Sequence, residues 1–512
     1  MFKYLALNLL MLISCWSLVS AQTTVDFPKD VNLVKMTDPG VALVGTDDAL
    51  YGIDQSGNTL WNNEKLRKVE AERVEVLSGS ELVFVSDKGL LARNRVLNVL
   101  DGREYANTGM KGENIFGARV IHGTNQLWTI GDGKTIDVWD IAHNQKLYSL
   151  ATPNKSAIAL DKSASLTTTF SGMQPITYTG NKHAILHLAL GHLGRYDLMS
   201  GEAQWLFNFK PYKPKGDKGD VASNPSNGFS VMKVDLETET LYFPFRDMLI
   251  AVDMNTGAAK WETKANRTGK VRDMYIVDEG ILVLTYSGLQ LIDNSTGAEK
   301  WKKPIKIKGA DEGLLLEDEG NFYAVSKNNI VKIDLANRQS ISLTEKIKFQ
   351  GGDSFSGLEI YGDALVLSGR QNMVVVNKHS GKILNSVFYK KPGPGFLTIA
   401  QNIALASVAI AATMNSYHVN SINGNKTYYQ YTPQMMSTRS GSSASDQHLY
   451  ISTKFKDSDA QGFGVARVDK SNGQTSQKIV IGDREPIYDV DEFASLIFYK
   501  SDKRSIGIKS IQ

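Results

Sequence analysis

Three of the eight histidines lie close together, at His183, His187 and His192. On a helix the first two would share one face, as zinc ligands do, but the glutamate of the metalloprotease motif is missing. The segment has a strand-like pattern instead, which places His183 and His187 on one side of a strand, some distance apart. We therefore interpret these histidines as structural and predict no metal site and no catalytic residue here.

Cysteine chemistry depends on where the chain is cut, since Cys15 is its one cysteine. Residues 1–21 have the basic start, apolar core and small-residue end of a secretory signal, with cleavage expected after Ala21. The mature chain would then contain no disulfide, thiolate metal site or cysteine nucleophile. In the alternative interpretation, the lipobox-like Leu12–Cys15 makes Cys15 an acylated first residue. The bulky Trp16 favours simple export, to the periplasm or the outer-membrane surface.

Charged groups offer two further candidate sites. Acidic pairs or runs at 47–48, 317–319 and 489–492 are interpreted as solvated turns. Five lysines between Lys300 and Lys308 alternate with apolar residues, which indicates either a basic patch for an anionic partner or an ordinary half-buried strand. We favour the strand. A net charge of +3 gives no general attraction to nucleic acid, and no nucleic-acid partner is predicted.

One phrase is repeated along the chain. Asp253 is followed four residues later by Gly257 and eight residues later by Trp261. An aspartate caps a tight turn through its side-chain oxygen, glycine permits the backbone angles of the turn, and tryptophan buries a large apolar surface. Other strong copies are Asp54, Gly57 and Trp61; Asp197, Gly201 and Trp205; and Asp293, Gly297 and Trp301. Weaker copies start at Asn98, Asp140, Asp334, Asn377, Asn420 and Asp469.

The weaker copies replace individual members of the phrase. Asn144 stands where glycine is expected after Asp140, since asparagine tolerates a positive φ. The copy at Asp334 is assigned Asn337 in its turn and has lost the aromatic residue.

The intervals between copies predict an all-β fold. Before Asp293, the chain offers strands over 271–278, 280–285 and 288–292, and a fourth strand containing Lys300 and Trp301. Four short antiparallel strands about every 45 residues are typical of β-propeller blades. No interval contains a convincing amphipathic helix. The mature domain, residues 22–512, is therefore predicted to be a propeller of four-stranded blades.

The two ends of the chain predict how the propeller closes. Three strands are expected over 487–493, 496–500 and 505–511, with no fourth strand after them. An extended segment over 23–27 precedes the first blade, and we predict that it pairs with the C-terminal strands. The total is ten to eleven repeat units, above the four to eight usual in one ring. Three interpretations remain open: one large ring, weak repeats that are not blades, or two rings divided in the polar loop 208–228.

The copies starting at Ala251 and Leu291 resemble the tryptophan-docking motif of quinoprotein alcohol dehydrogenase-like (PQQ-like) propellers. The resemblance implies a scaffold shared by two kinds of protein. One kind is dehydrogenases that hold pyrroloquinoline quinone against adjacent cysteines, with calcium on Glu, Asn and Asp. The other is non-catalytic envelope propellers of the outer-membrane assembly lipoprotein type. A mature chain without cysteine lacks the first kind's disulfide, and no calcium cluster is evident, so no cofactor is predicted.

Three functional hypotheses follow. The first is a non-enzymatic scaffold that binds proteins in a bacterial cell envelope, with peripheral outer-membrane association. The alternatives are an atypical PQQ-dependent oxidoreductase and a carbohydrate-binding propeller. No transmembrane segment is predicted, because the most apolar run, 403–412, is short for a bilayer.

Overall fold

A computed structural model describes most of residues 22–511. The residues that it leaves undescribed within that range are 78, 87–92, 107–114, 122–123, 132–134, 151–175, 179–181, 189–191, 213–231, 246, 263–268, 270, 308–314, 354, 356, 391–415, 423–424, 432–441, 445–446, 459 and 484–485. Residues 1–21, the predicted signal, lie outside the described part, as do 403–412 and most of the predicted loop 208–228. No helix in the described part is long and apolar enough to cross a membrane.

The described chain is almost entirely β-structure, with two short 3₁₀ helices at Ala71–Arg73 and Lys210–Tyr212. The first half of the strands are β1 (Thr23–Asp26), β2 (Val31–Met36), β3 (Ala42–Thr46), β4 (Leu50–Ile53), β5 (Thr59–Asn63), β6 (Val74–Leu77), β7 (Leu82–Val85), β8 (Arg95–Asn98), β9 (Glu104–Tyr105), β10 (Ile115–Ile121), β11 (Gln126–Gly131), β12 (Thr135–Asp140), β13 (Gln145–Leu150), β14 (Ile176–Tyr178), β15 (His183–Leu188), β16 (His192–Asp197), β17 (Ala203–Leu206), β18 (Lys233–Asp235), β19 (Thr240–Phe245) and β20 (Met248–Asp253). The second half are β21 (Val271–Val277), β22 (Gly280–Thr285), β23 (Gly288–Ile292), β24 (Leu315–Asp318), β25 (Asn321–Ser326), β26 (Asn329–Asp334), β27 (Gln339–Ser342), β28 (Gly357–Tyr361), β29 (Ala364–Ser368), β30 (Asn372–Asn377), β31 (Ile383–Phe388), β32 (Ser416–Ile422), β33 (Asn425–Tyr431), β34 (Ser442–Ala444), β35 (His448–Lys456), β36 (Gln461–Asp469), β37 (Thr475–Val480), β38 (Tyr488–Asp491), β39 (Leu496–Asp502) and β40 (Ser505–Ser510).

Apart from β32 and β33, these strands form a ten-bladed β-propeller, which confirms the predicted propeller and lies within the predicted range of ten to eleven units. Blades 1 to 4 are β2–β5, β6–β9, β10–β13 and β14–β17; blades 5 and 6 are the three-stranded β18–β20 and β21–β23; blades 7 to 9 are β24–β27, β28–β31 and β34–β37. Blade 10 combines β38, β39 and β40 with β1 from the other end of the chain. Neighbouring strands within each blade are antiparallel.

The hydrophobic core is divided among the blade junctions. The buried apolar residues form ten clusters, and each cluster joins residues from two neighbouring blades. One cluster joins blade 9 to blade 10, and another joins blade 10 to blade 1. The series of junctions therefore returns to its start, and the blades form one ring rather than two. Each blade depends on its neighbours to bury its faces.

This arrangement explains the sequence pattern of the strands. Strands in the middle of a blade are covered on both faces, so β19 and β22 are buried along their whole length. Outermost strands are covered on one face, and in β5 only Trp61 is buried. The middle strands accordingly appear as continuous apolar runs, whereas the outermost strands are mixed.

The ring closes as predicted from the two ends of the chain. Strand β1 pairs antiparallel with β40, with Thr24 opposite Gly507 and Asp26 opposite Ser505. The Ser505 hydroxyl donates a hydrogen bond of 2.6 Å to Oδ1 of Asp26. The N-terminal segment thus supplies the outermost strand that the C-terminal sequence lacks.

The structure corrects one sequence prediction and bears on one alternative that the sequence left open. The predicted fourth strand around Lys300 and Trp301 is reduced to isolated bridges that join Leu289 to Ile305 and Ile292 to Glu299. The copy that starts at Asn420 lies in the hairpin β32–β33, and among the described residues these two strands pair only with each other. Its glycine, Gly424, lies outside the described residues.

Candidate functional site

One face of the ring carries the copies of the repeated phrase that belong to the ten blades. In each blade, the turn between the first and second strands and the turn after the third strand lie side by side. In blade 5, the backbone amide of Met254 donates to the carbonyl of Glu239 at 2.9 Å, and in blade 8 Lys378 donates to Asp363 at 2.9 Å. We call the surface formed by these two sets of turns the turn face.

The aspartates of the phrase organise the turns. Oδ1 of Asp293 accepts hydrogen bonds from the amide and hydroxyl of Thr296, both at 2.9 Å. Asp253 makes the same contacts with Thr256, at 2.8 and 2.9 Å. The glycine that follows has a positive φ, 70° at Gly257 and 72° at Gly297, as at Gly57 and Gly201. Asn144 also has a positive φ, of 49°, which confirms the prediction for that copy.

The tryptophans reach the turns of the next blade. The Trp205 indole N–H donates to the Met254 carbonyl at 2.9 Å, and Trp261 donates to Asn294 at 3.0 Å. Trp61 makes the corresponding bond with Val99 at 2.6 Å. Trp301 is 4% exposed and packs in the cluster between blades 6 and 7. The indoles of Trp61, Trp205 and Trp261 thus cover the turns of the neighbouring blades.

Close packing explains the glycine in these turns. A Cβ at Gly257 would lie 2.6 Å from Cδ2 of Trp205, and one at Gly102 would lie 2.7 Å from Cδ2 of Trp61. At Gly201 the residue that covers the turn is Tyr148, whose hydroxyl donates to Leu198 at 2.6 Å.

Other residues occupy the same place where the phrase is weak. Val25 of the closing strand packs on Gly57, and Asn385 donates to the carbonyl of Gly473 at 2.8 Å. In the copy that starts at Asp334, the residue with positive φ is Arg338, at 55°. Asn337 donates its side-chain and backbone N–H groups to Asp334.

The stability of the turns depends on pH through the carboxylates of the phrase. Hydrogen bonds from Thr296 lower the pKa of Asp293 below its ordinary 3.8. At Asp253, burial raises the pKa, but hydrogen bonds from Thr256 outweigh it and the pKa is again lowered. A lowered pKa in the folded state means that the stabilisation is complete above pH 3.8 and is lost as the pH falls below it.

We predict that Asp253→Asn combined with Asp293→Asn flattens the loss of stability in acid. Asparagine keeps the turn-capping oxygen but cannot be protonated in this range. Thermal unfolding between about pH 2.5 and pH 7 measures the effect. On acidification, the unfolding temperature of the wild type should fall by more than that of the variant. If the two unfolding temperatures fall in parallel, Asp253 and Asp293 are not the source of the acid sensitivity.

The histidine and lysine candidates of the sequence analysis lie in different blades. His183 and His187 lie in β15 and His192 in β16. The His183 ring contacts Gln204 at 3.1 Å, and burial lowers its pKa. No group of three or more metal-ligating side chains occurs within the described ranges. Lys300 donates to the Glu279 carbonyl at 2.7 Å, next to Asp293.

One acidic run is not a solvated turn. Asp489 accepts a hydrogen bond of 2.8 Å from the amide of Met36, and burial raises the pKa of its carboxyl. Glu492 accepts a bond from the Tyr450 hydroxyl at 2.8 Å and contacts Nδ1 of His448 at 2.8 Å. This run therefore joins blade 10 to the blades on both sides.

The innermost strands contain charged residues that the sequence analysis did not single out. Arg119 on β10 forms an ion pair with Glu75 on β6. Burial lowers the pKa of Lys233 on β18 to about 8 and raises the pKa of Asp273 on β21 to about 6. The available signal was one or two charged residues within each short, mainly apolar strand. These groups line the inner edge of the ring.

A family model described as outer membrane protein assembly factor BamB matches residues 191–479, more than half of the chain. The chain belongs to this family. The match confirms the predicted PQQ-like propeller superfamily. It begins in blade 4 and ends in the last strand of blade 9.

Solved structures provide further likenesses. BamB from Moraxella catarrhalis has a TM-score of 0.35 at 12% identity, covering 85% of this chain and 97% of that one. The dihydro-heme d1 dehydrogenase NirN has a TM-score of 0.38 at 11% identity, covering 78% and 73%. The computationally designed Ika8 protein has a TM-score of 0.35 at 13% identity, covering 72% and 100%. A search of curated proteins finds no match.

Proposed function

We propose that this protein is an exported, non-catalytic scaffold that binds other proteins in a bacterial cell envelope. The family match over residues 191–479 carries the proposal, since that family is described as an outer membrane protein assembly factor. The N-terminal sequence, with its basic start, apolar core and cleavage site at Ala21, supports export. The partners proposed are envelope proteins, and the association with the outer membrane is peripheral.

The use of the repeated residues supports a scaffold rather than an enzyme. Asp253, Gly257 and Trp205 are engaged in a turn and in its contact with the preceding blade. Comparable contacts recur around the ring, so these residues are positioned for assembly of the blades. Binding is then left to the loops that a rigid propeller presents. No PQQ or calcium is needed for this role.

Crosslinked purification tests the proposal. The full chain with a C-terminal tag is produced in bacterial cells, the cells are fractionated, and the envelope fraction is treated with a mild crosslinker. We expect the chain in that fraction, joined to envelope proteins that mass spectrometry identifies. Recovery only as a free monomer, or only from the cytosol, would overturn the proposal.

Two further measurements test the form of the N-terminus and the absence of catalytic activity. The mass of the mature N-terminus distinguishes a chain that starts at Gln22 from one that starts at an acylated Cys15. Reconstitution with PQQ and calcium, followed by a dye-reduction assay, tests the absence of catalysis. Quinone-dependent dye reduction would show an oxidoreductase and contradict the non-catalytic part of the proposal.

A further inference from the structure

Exposed apolar side chains are distributed unevenly over the described surface. Several lie on outermost strands at the perimeter, such as Leu147 and Leu384, where partial exposure is ordinary. Tyr286 lies on the face opposite the turn face, between β22 and β23. The two most exposed are on the turn face: Met199 at 82% and Phe493 at 100%. Phe493 therefore presents its whole ring to solvent.

The turn that carries Phe493 is held from several directions. It connects β38 to β39 in blade 10, and within it the amide of Ala494 donates to Asp491 at 2.9 Å. Gln55 of blade 1 donates to the same carboxylate at 2.9 Å. On the other side, Tyr450 of blade 9 donates to Glu492 at 2.8 Å.

The chain end also fixes this turn. The amide of Ile511 donates to the carbonyl of Ser495 at 2.9 Å, and Ser495 has a positive φ of 55°. The backbone on both sides of Phe493 is therefore fixed by contacts with two neighbouring blades and the C-terminus. An aromatic ring on a preorganised turn is the usual form of a binding anchor, because little conformational freedom remains to be lost.

The same face carries a concentration of negative charge. The turns between the first two strands of blades 5 to 8 contain exposed carboxylates and no lysine or arginine; the residues are Glu237, Glu239, Asp278, Glu279, Glu319 and Asp363. The nearest lysines of blades 5 and 6, Lys260 and Lys300, approach Asp253 and Asp293 at 3.8 and 3.7 Å. In blade 8, Lys378 lies 3.8 Å from Asp363, so this member of the set is partly neutralised and the five glutamate and aspartate residues of blades 5 to 7 provide most of the negative charge. These turns belong to four consecutive blades and form an acidic arc.

We propose that the turn face is the protein-binding surface, with Phe493 as its apolar anchor and the acidic arc as its electrostatic guide. The partner that fits is a protein with an apolar pocket for a phenyl ring, set in a surface rich in lysine and arginine. Charge complementarity favours such a partner over nucleic acid or an anionic membrane, which the arc would repel. This inference rests on the proposed scaffold function and assigns its binding surface.

Site-specific photocrosslinking tests the surface. A photoreactive benzoylphenylalanine replaces Phe493 in the full chain, and the matched control places it at Tyr286 on the opposite face. We expect one identified basic protein to be crosslinked from position 493 and not from position 286. Adducts from 493 that contain only lipid, or only a second copy of this chain, would overturn the inference.

The purified crosslinked protein then allows a quantitative test. Phe493→Ala should weaken its binding by about 30-fold or more, as expected for a hot-spot aromatic residue. The unfolding temperature should be unchanged, since the ring is fully exposed. Binding by the wild type should weaken as salt rises, and Glu237→Gln with Glu239→Gln should reduce that salt dependence. Unchanged affinity of Phe493→Ala would overturn the inference.

The outcomes separate this inference from the proposed function. A protein partner crosslinked only from position 286 would leave the scaffold function standing and reject the turn face as its surface. No protein partner from either position, together with a free monomer in the crosslinked purification, would reject both.

Discussion

Replacing Trp205 with alanine is expected to destabilise the ring by about 3–5 kcal/mol. The indole is 8% exposed, packs in the cluster between blades 4 and 5, and donates to the Met254 carbonyl at 2.9 Å. Alanine removes the ring and leaves a cavity over Gly257. It also leaves the Met254 carbonyl without the indole N–H. Urea unfolding followed by tryptophan fluorescence and circular dichroism measures the loss.

A neighbouring residue provides the control for this prediction. Leu206 follows Trp205 in β17 and is 40% exposed. Leu206→Ala should change the free energy of unfolding by no more than about 0.5 kcal/mol, because its side chain faces solvent. Equal losses in the two variants would show that tryptophan docking does not hold these blades together.

Gly381→Ala is expected to cost at least about 3 kcal/mol, because two separate penalties combine. The φ of Gly381 is 70°, which disfavours any residue with a Cβ. A Cβ there would also lie 1.7 Å from the carbonyl oxygen of Leu343 and 2.7 Å from its carbonyl carbon. Both atoms are backbone, so no side-chain rotation relieves the clash. In the variant, the backbones of blades 7 and 8 must therefore move apart at this junction to make room for the alanine Cβ.

Gly362 separates the two penalties. It has a positive φ of 55°, but a Cβ there would meet no atom within 4 Å. Gly362→Ala should therefore cost only the backbone penalty, about 1 kcal/mol. Urea unfolding midpoints of the two variants give the comparison. If Gly362→Ala is as damaging as Gly381→Ala, close packing between blades does not explain the glycine of the phrase.

The sequence predicted the parts of the fold that depend on local turn chemistry. Asp253, Gly257 and Trp261 each have a side-chain or backbone requirement that shows directly in residue type and spacing. Ring closure was also predictable, because three C-terminal strands without a fourth and a spare N-terminal strand complement each other. Both features can be predicted from turn residues and from the number of strands at each end of the chain, without knowing how side chains pack between blades.

Features that depend on packing between blades were harder to predict. Arg338 has a positive φ although its residue type gives no sign of it, because it stands four residues after Asp334, as Gly257 does after Asp253. The hairpin β32–β33 has the composition of a blade, but in the described part of the chain no third strand pairs with it. Asp489 and Glu492 belong to an acidic run that looked solvated, yet both contact neighbouring blades.

The interaction surface was the least predictable element. Phe493 lies among acidic residues near the chain end, and nothing in its immediate sequence distinguishes an exposed anchor from a core residue. Its role depends on contacts that Gln55 and Tyr450, both distant in the sequence, make with the two residues that precede it, Asp491 and Glu492. Only the closed ring brings these three parts of the chain together.

Pairing of β1 with β40 closes the ring, and closure holds the turns of different blades together as one rigid face. Asp26 and Ser505 lie opposite each other in β1 and β40, and their side chains are in contact at 2.6 Å. The variant Asp26→Cys with Ser505→Cys, also carrying Cys15→Ser, tests this pairing. We expect an intramolecular disulfide under mild oxidation, seen as a faster band on a non-reducing gel, and a higher unfolding temperature than in the reduced form. Free thiols that persist in oxidant, or disulfides only between molecules, would contradict the closed ring.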